Sequence, residues 1–212
     1  MPFDLDRLRV LASGSDDLAQ ACRPFSADRD GIVLAEGAAI LVVEELERAR
    51  RRGAHVYAEL AGYGASSDGG HITQPNVEGP ARAMDLALRE AGAAPDEVDY
   101  INAHGTATRL NDVVETRAIH QVFRTAARFP AVSSTKSMHG HLMGASGALE
   151  LLITLLALQH GVVPPTAHYR GRDPECDLDY VPNEARAQPI RLALSNSFAF
   201  GGLNAVLAVR QL

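Results

Sequence analysis

The sequence predicts a single layered α/β domain in which a mixed, mostly parallel sheet is covered by helices. Apolar stretches typical of strands alternate along the chain with stretches that have helical spacing of apolar residues, which is the order found in α/β folds. Three of the apolar stretches end in turns of small and polar residues, where open α/β sheets carry their functional groups. One tight turn at Gly201 and Gly202 separates the last two strands, so we expect them to be antiparallel neighbours.

The first quarter of the chain predicts a helix, a loop, a long strand and a second helix. LDRLRVLA (5–12) has helical spacing of leucines, whereas CRPFSADRDG (22–31) is charged and broken by proline, which indicates a loop. The mostly apolar stretch IVLAEGAAILVVEEL (32–46) predicts a strand. The stretch ELERARRRGA (45–54) predicts a charged surface helix that ends at Gly53.

The middle of the chain continues the alternation. VYAELAGYGASSDG (56–69) predicts a strand, and a helix begins near Pro80, a residue suited to the first helical turn. A short strand is predicted at the start of YINAHGTAT (100–108). The helix that follows has Asn111 or Asp112 as its expected cap.

The last third predicts one buried helix and three strands. The stretch from Ala131 to Ser134 resembles the end of a strand. The helix from Ala145 to Gln159 is apolar on all sides, so we expect it to be the most buried helix of the fold. After a long loop with several prolines, IRLALSNSFAFGG (190–202) and LNAVLAVRQL (203–212) predict the closing strands.

Composition indicates an ordinary globular protein. The 212 residues are 46% hydrophobic and 22% charged, with a net charge of −6 that gives no basic footprint for nucleic acid. No apolar run reaches the roughly 20 residues that span a bilayer, and the N-terminus does not resemble a signal peptide. Cys22 and Cys176 are too far apart in sequence to suggest a disulfide framework or a metal site. We therefore expect a cytoplasmic protein that contacts no membrane and holds no metal.

Two histidines and a lysine follow the predicted strands. The polar turns are NAHGTAT (102–108), SSTKSMHGH (133–141) and SNSFAFGG (195–202). If they project from one sheet edge, His104, Lys136 and His141 converge there as hydrogen-bond donors. A histidine beside a cation tends to be neutral and can stabilise an oxyanion. The alternative is that a histidine near a helix start is a polar cap without chemistry.

The motifs HGTAT (104–108), STKSMHGHLMGASGALE (134–150) and NSFAFGGLN (196–204) resemble, in this order and spacing, the C-terminal half of the β-ketoacyl-acyl carrier protein synthases. The resemblance extends from about Leu8 to Leu212. It implies a thiolase-like layered α/β fold, with a mixed five-stranded sheet and helices on both faces, as one half of a duplicated fold. It also implies an N-terminal helix and loop over residues 1–30 and a C-terminal ketosynthase domain over residues 31–212.

The resemblance implies a decarboxylating Claisen condensation of acyl and malonyl thioesters in fatty acid or polyketide biosynthesis. Both histidines would stabilise the thioester enolate, one of them could also activate water, and no cofactor is needed. An acyl carrier protein bearing acyl or malonyl pantetheine would be the partner. The implied site residues are the catalytic His104, His141 and Lys136, the supporting Glu150, Thr106 and Thr108, and the gate residues Phe200, Gly201 and Gly202.

Three residues depart from the family pattern. His139 stands where the family usually has a small or hydroxyl residue, and we expect it to point away from the pocket. Ala199 and Leu203 replace the usual glycine and threonine around the gate. Ala199 is expected to stiffen the gate loop, because alanine does not reach positive φ as glycine does.

The family's nucleophilic cysteine is missing from the expected positions. A reactive thiolate needs a helix N-terminus or a cation nearby, and the sequence around Cys22 and Cys176 indicates neither. The chain therefore resembles half an enzyme, either cut from a longer chain or one of two complementing polypeptides, with the cysteine on an N-terminal half. Half of the fold would expose an apolar face, so we expect association, as a dimer or a mixed oligomer. Alternatives are a non-catalytic partner like a chain-length factor and a thiolase-related enzyme of another reaction type. Termination at Leu212 favours a discrete enzyme.

Overall fold

The computed structural model describes residues 5, 8–13, 17–71 and 73–212. The helices are α1 (Leu46–Arg51), α2 (Glu78–Glu90), α3 (Arg109–Phe123), α4 (Lys136–His139) and α5 (Ser146–His160). The strands are β1 (Glu59–Ser67), β2 (Tyr100–Asn102), β3 (Ala131–Ser133), β4 (Val162–Val163), β5 (Arg186–Ala187), β6 (Leu192–Ala199) and β7 (Leu203–Arg210). Short 3-10 helices cover Leu18–Gln20, Pro95–Glu97 and Met143–Ala145.

Five strands form one mixed sheet in the order β1-β7-β6-β2-β3. Strand β2 lies parallel to both β3 and β6, whereas β6 with β7 and β7 with β1 are antiparallel. The carboxyl ends of β2, β3 and β6 therefore meet at one edge of the sheet. The mixed five-stranded sheet and the antiparallel closing hairpin are confirmed. Strands β4 and β5 form a separate two-stranded ribbon.

Helices cover both faces of the sheet. Neighbouring residues of a strand point to opposite faces, and Ile101 packs in the cluster of α2 and α3 while Tyr100 packs in the cluster of α5. Helix α2 approaches β1 closely because the strand presents Gly62 and Gly64. A Cβ at Gly64 would lie 1.9 Å from the carbonyl oxygen of Ala83. Larger residues at these two positions would push α2 off the sheet.

Helix α5 is not the most buried helix, so that expectation is wrong. Leu152 and Leu156 are 38% and 39% exposed, whereas α2 and α3 each bury more residues than α5 does. The helix is apolar on all sides, but within the described chain only one side meets the sheet. By length and composition Met143–His160 could also cross a membrane. Its buried Glu150 and Thr154, which hydrogen-bond to β2 or to their own turn, are instead typical of a core helix.

The structure differs from the sequence prediction at residues 8–13 and 32–45. Residues 32–45 form no strand in the described structure, and only isolated bridges pair Ile32 with Leu11 and Leu34 with His141. A strand needs a neighbour to accept its backbone hydrogen bonds, and this stretch has none beyond those bridges. Its apolar side chains are exposed, with Ile40 at 92% and Val42 at 89%. Residues 8–13 are not helical, and the rest of the helix expected over residues 5–12 lies mostly outside the described residues.

Candidate active site

The loop after β2 carries His104 and is held by a buried carboxylate of α3. The backbone N–H groups of His104 and Gly105 donate to the two carboxylate oxygens of Glu115, at 2.9 and 2.8 Å. Asn196 of β6 also donates to Glu115, at 3.0 Å. Gly105 has a φ of +33°, and a Cβ there would lie 2.5 Å from the Cβ of Ser134, so only glycine fits this turn. Glu115 thereby fixes the backbone that aims the His104 ring.

Neither Asn111 nor Asp112 is the cap of α3, contrary to the sequence prediction. The N-cap is Thr108, which makes no side-chain capping bond, and α3 begins at Arg109. The Asp112 carboxylate instead accepts the backbone N–H groups of Phe25 and Thr106 and lies 3.4 Å from the Arg29 guanidinium. It therefore ties the loop after His104 to the segment around Phe25.

Lys136 is fully buried at the start of α4 and joins three acceptors. Its Nζ lies 2.5 Å from the His104 carbonyl oxygen and 3.5 Å from His104 Nδ1, and it forms an ion pair with Glu150 of α5. An ammonium has three donor hydrogens, which match these three acceptors. Burial raises the pKa of the Glu150 carboxyl, and the charge of Lys136 opposes that rise.

His141 is positioned so that its proton lies on Nε2. The backbone N–H of Met143 donates to His141 Nδ1 at 3.0 Å, and the Ser146 hydroxyl lies 3.0 Å from the same atom. Because an N–H can only donate, Nδ1 is the acceptor and Nε2 carries the hydrogen. Burial, together with the charge of Lys136, lowers the pKa of His141 to about 4.

The rings of His104 and His141 meet edge to face, with centroids 5.5 Å apart. Burial, followed by the charges of Lys136 and His141, lowers the pKa of His104 well below its usual value. Because Lys136 can only donate to Nδ1 of His104, this ring also carries its hydrogen on Nε2. The site is therefore a pair of neutral imidazoles, each able to donate one N–H at neutral pH.

The residues expected to form the gate, Phe200, Gly201 and Gly202, lie in the turn between β6 and β7. Gly201 and Gly202 have φ values of 79° and 75°, which favour glycine. A Cβ at Gly202 would lie 2.4 Å from the Cβ of Asp68, whose N–H donates to the Gly202 carbonyl at 2.8 Å. Phe200 is half-buried in this turn. Ala199 ends β6 without a positive φ, so its Cβ brings no backbone strain.

Other residues near the His104 loop have defined contacts. Phe198 packs its ring 5.9 Å from that of His104. The hydroxyls of Thr106 and Thr108 bond to each other at 2.8 Å beside the His104 loop. His139 contacts Gly140 and Thr135 through its two ring nitrogens. The patterns that would have revealed Phe198 and Glu115 are absent, because an apolar strand residue and a helix carboxylate are ordinary in sequence.

Neither cysteine has the setting of a nucleophile. Cys22 and Cys176 are 6% and 1% exposed. Burial raises the pKa of Cys22 to about 12 and that of Cys176 to about 11. A thiol with such a pKa holds almost no thiolate at neutral pH, and only the thiolate is reactive.

Comparison with known proteins identifies the family. The family model described as the β-ketoacyl synthase C-terminal domain matches residues 57–170, and the model of the N-terminal domain matches residues 4–49. The chain belongs to the β-ketoacyl synthase family. The boundary at residue 30 that the sequence suggested remains a prediction.

Two groups of relatives cover nearly the whole chain. Nodulation protein E of Rhizobium sp. (strain N33) is 55% identical over 206 residues, which are 97% of this chain and 50% of that protein. The 3-oxoacyl-[acyl-carrier-protein] synthase 2 of Synechocystis sp. is 51% identical over 96% of this chain and 49% of its own length. This β-ketoacyl synthase chain therefore spans about half the length of the curated relatives it matches.

Solved ketosynthase structures share the fold. A β-ketoacyl synthase from Burkholderia phymatum STM815 is 42% identical, with a TM-score of 0.93 over 98% of this chain and 50% of its own. A ketosynthase structure titled as a type II PKS acyl-carrier protein in complex with its ketosynthase bound to the hexaketide is 40% identical, with a TM-score of 0.95. That match covers 98% of this chain and 52% of the other. The thiolase-like layered α/β fold predicted from the resemblance is thus confirmed.

Proposed function

We propose that this chain is the C-terminal half of a decarboxylating β-ketoacyl-acyl carrier protein synthase. It supplies His104, His141 and Lys136 for the Claisen condensation of acyl and malonyl thioesters in fatty acid or polyketide biosynthesis. The observation that carries the proposal is the pair of neutral imidazoles, 5.5 Å apart, beside a buried lysine–glutamate ion pair. Neutral donors of this kind suit a developing oxyanion and have no proton to lose by dissociation at neutral pH.

The histidines act on the malonyl thioester. Loss of CO₂ leaves the electron pair of the broken C–C bond on the thioester as an enolate, whose oxygen accepts the Nε2–H groups of His104 and His141. The enolate carbon then attacks an acyl thioester held on the cysteine of the other half, and that thiolate leaves. Each oxyanion donor contributes on the order of 10²–10³ in rate. Lys136 holds His104 through its carbonyl and Nδ1 rather than touching substrate.

The exposed apolar surface supports a missing N-terminal half as partner. Ile40 and Val42 of the unpaired stretch, and Leu152 and Leu156 on the open side of α5, are exposed. Larger apolar patches on soluble proteins mark interaction sites. The relatives are about twice as long as this chain, so they contain the polypeptide that could cover such a surface.

An acyl carrier protein is the proposed second partner. A ketosynthase that is 40% identical to this chain was solved in complex with an acyl-carrier protein. The substrate would reach the histidines on the pantetheine arm of that carrier, past the gate turn at Phe200 to Gly202.

A non-catalytic partner subunit is the second candidate. One related structure, 45% identical, is titled a ketosynthase/chain length factor, and such a subunit would match a chain without a usable cysteine. The chemistry of the site argues against it, because a subunit without catalysis has no need for two neutral imidazoles beside a buried lysine. The choice between the two is a matter of measured activity.

The decisive experiment joins this chain to an N-terminal ketosynthase half that bears the cysteine. We expect decarboxylation of malonyl-acyl carrier protein and condensation with a cysteine-bound acyl group. His104→Ala or His141→Ala should each lower the decarboxylation rate by about 10²–10³, whereas His160→Ala, at the exposed end of α5, should not. Mass spectrometry of the chain alone after incubation with an acyl thioester should find no adduct. A stoichiometric adduct on Cys22 or Cys176, or full activity of both histidine variants, would overturn the proposal.

A further inference from the structure

His139 lies at the end of α4, and its half-buried ring makes two hydrogen bonds. Nδ1 lies 2.8 Å from the carbonyl oxygen of Gly140, and Nε2 lies 3.2 Å from the hydroxyl oxygen of Thr135. A carbonyl oxygen only accepts hydrogen bonds, so Nδ1 carries a hydrogen. The direction of the second bond depends on where the Thr135 hydroxyl sends its single hydrogen.

The Thr135 hydroxyl faces a second acceptor. Its oxygen lies 3.3 Å from Oδ1 of Asn102. The orientation of the Asn102 amide is fixed, because its Nδ2 donates to the Glu150 carbonyl at 3.1 Å and to the Thr154 hydroxyl at 3.2 Å. Thr154 donates its own hydrogen to the same carbonyl at 2.7 Å, so it can only accept from Asn102. Thr135 is therefore the side chain that can donate a hydrogen bond to Oδ1 of Asn102.

The two protonation states of His139 give the Thr135 hydroxyl different hydrogen-bond partners. When the ring is neutral, the Thr135 hydroxyl donates to Nε2, and Oδ1 of Asn102 loses that donor. When the ring is protonated, Nε2–H donates to Thr135, and the hydroxyl turns to Asn102. Thr135 and Asn102 are both fully buried, where an acceptor without a donor is costly.

The hydrogen bonds that run from His139 through Thr135 end at Asn102, close to the proposed catalytic residues. Asn102 is the last residue of β2, two residues before His104, and its amide holds the turn of α5 that carries Glu150. Glu150 in turn pairs with Lys136, which binds the carbonyl of His104. The strength of the hydrogen bond from Asn102 to the Glu150 carbonyl thus affects the position of both the Lys136–Glu150 ion pair and His104.

We propose that His139 is a positioning residue whose protonation turns the Thr135 hydroxyl toward Asn102 and tightens the link between β2 and α5. The kinetic consequence rests on the proposed function, whereas the hydrogen-bond switch does not.

The surroundings decide the pH range of the switch. Burial lowers the pKa of His139 from its usual value, the bond to Gly140 raises it, and the charge of Lys136 lowers it, with a net decrease. The charge of His139 also lowers the pKa of His141, two residues on, but His141 is neutral above about pH 4. Glu150 is paired with Lys136 and lies on the far side of Asn102. The ring is therefore neutral at pH 7, and the link tightens below pH 6.5.

The switch can be measured by NMR on the complete enzyme, this chain joined to the N-terminal half, with ¹⁵N-labelled histidine. We expect the neutral His139 ring to hold its hydrogen on Nδ1 and to titrate below pH 6.5. Thr135→Val should lower its pKa further, by about one unit, because a hydrogen bond from a charged donor is stronger than one to a neutral ring. A neutral ring with its hydrogen on Nε2, or a pKa unchanged in Thr135→Val, would overturn the inference.

Kinetics test the positioning role. The ratio of decarboxylation kcat between the parent and His139→Thr should rise by about fivefold below the pKa of His139, the equivalent of one neutral hydrogen bond. KM should not change, because His139 does not touch substrate. His160→Thr is the matched control and should give a flat ratio. A flat ratio for His139→Thr contradicts the inference. An enzyme without any decarboxylation refutes the proposed function instead, and the NMR titration then still decides the switch.

Discussion

Replacing Lys136 by methionine tests how the buried ion pair supports the site. The side chains of Lys136 and Glu150 are 0% and 1% exposed, and methionine keeps much of the volume while removing the charge. Breaking a buried ion pair by removing one partner costs about 3–5 kcal/mol, because the other charge remains buried and unpaired. We therefore expect the free energy of unfolding at pH 7 to fall by about that amount, about 3–5 kcal/mol.

The loss should depend on pH in a defined direction. Burial already raises the pKa of Glu150, and removing Lys136 raises it further. A carboxyl with a raised folded-state pKa binds more protons in the folded than in the unfolded state, so its stability contribution is present at low pH and is lost as pH rises. Lys136→Met should therefore be less destabilised at pH 5 than at pH 8.

The double variant Lys136→Met/Glu150→Leu separates stability from catalysis. Exchanging both members of a buried ion pair for apolar residues is often neutral or stabilising by about 1–4 kcal/mol, so most of the lost stability should return. Decarboxylation should stay low, since the carbonyl and Nδ1 of His104 have still lost their donor. Urea unfolding of the joined enzyme, followed by circular dichroism, measures the first quantity. A single variant that loses less than about 1 kcal/mol, or a double variant less stable than the single one, refutes the reasoning.

Three further outcomes are expected. Because burial and a nearby lysine lower the pKa of His141 from 6.5 to about 4, the unfolded state binds more protons below pH 6.5, and stability should fall by up to about 3 kcal/mol toward pH 4. His141→Asn should flatten that decrease in thermal melts. Gly202→Ala, with a φ of 75° and an aspartate side chain in the way, should cost about 1–3 kcal/mol, whereas Gly144→Ala, which meets no atom within 4 Å, should cost much less. The isolated chain should self-associate in sedimentation, and Ile40→Glu with Val42→Glu should reduce this; a monodisperse parent contradicts it.

The sequence predicted the parts of the fold that depend on local patterns. The β6–β7 hairpin follows from two apolar stretches joined by a glycine turn, and the structure has it. The stretch 32–46 has an equally apolar pattern, yet it forms no strand, because a strand also depends on a neighbour that no local pattern reveals. The expectation that α5 is the most buried helix also rests on its local apolar pattern alone. Its composition indicates what it can bury, whereas its neighbours determine what it does bury.

The site, like the fold, has parts that the sequence could predict and parts that it could not. His104, Lys136 and His141 follow strand ends, and parallel strands bring their carboxyl ends together, so their convergence could be predicted. The contact between Glu115 and Asn196 could not be predicted. The two residues are 81 positions apart and meet at 3.0 Å, and neither local sequence indicates the other as its partner. The position of Asp112 fits a helix cap in sequence, but its carboxylate binds the backbone of Phe25 and Thr106 instead.

The parts of the site that this chain contributes come from a single sheet and the helices on it. His104 follows β2, Lys136 and His141 follow β3, and Glu150 lies on α5, which packs against β6 of the same sheet. The bonds of Lys136 to His104 and Glu150, and the ring contact of His104 with His141, therefore form within this chain. The open side of α5 and the unpaired stretch around Ile40 lack cover, but neither is needed to hold the imidazoles together. On the proposed function, separating this chain from an N-terminal half would expose apolar surface while leaving the two histidines in contact. Recombination of the halves should then restore activity without a slow rebuilding of the histidine pair.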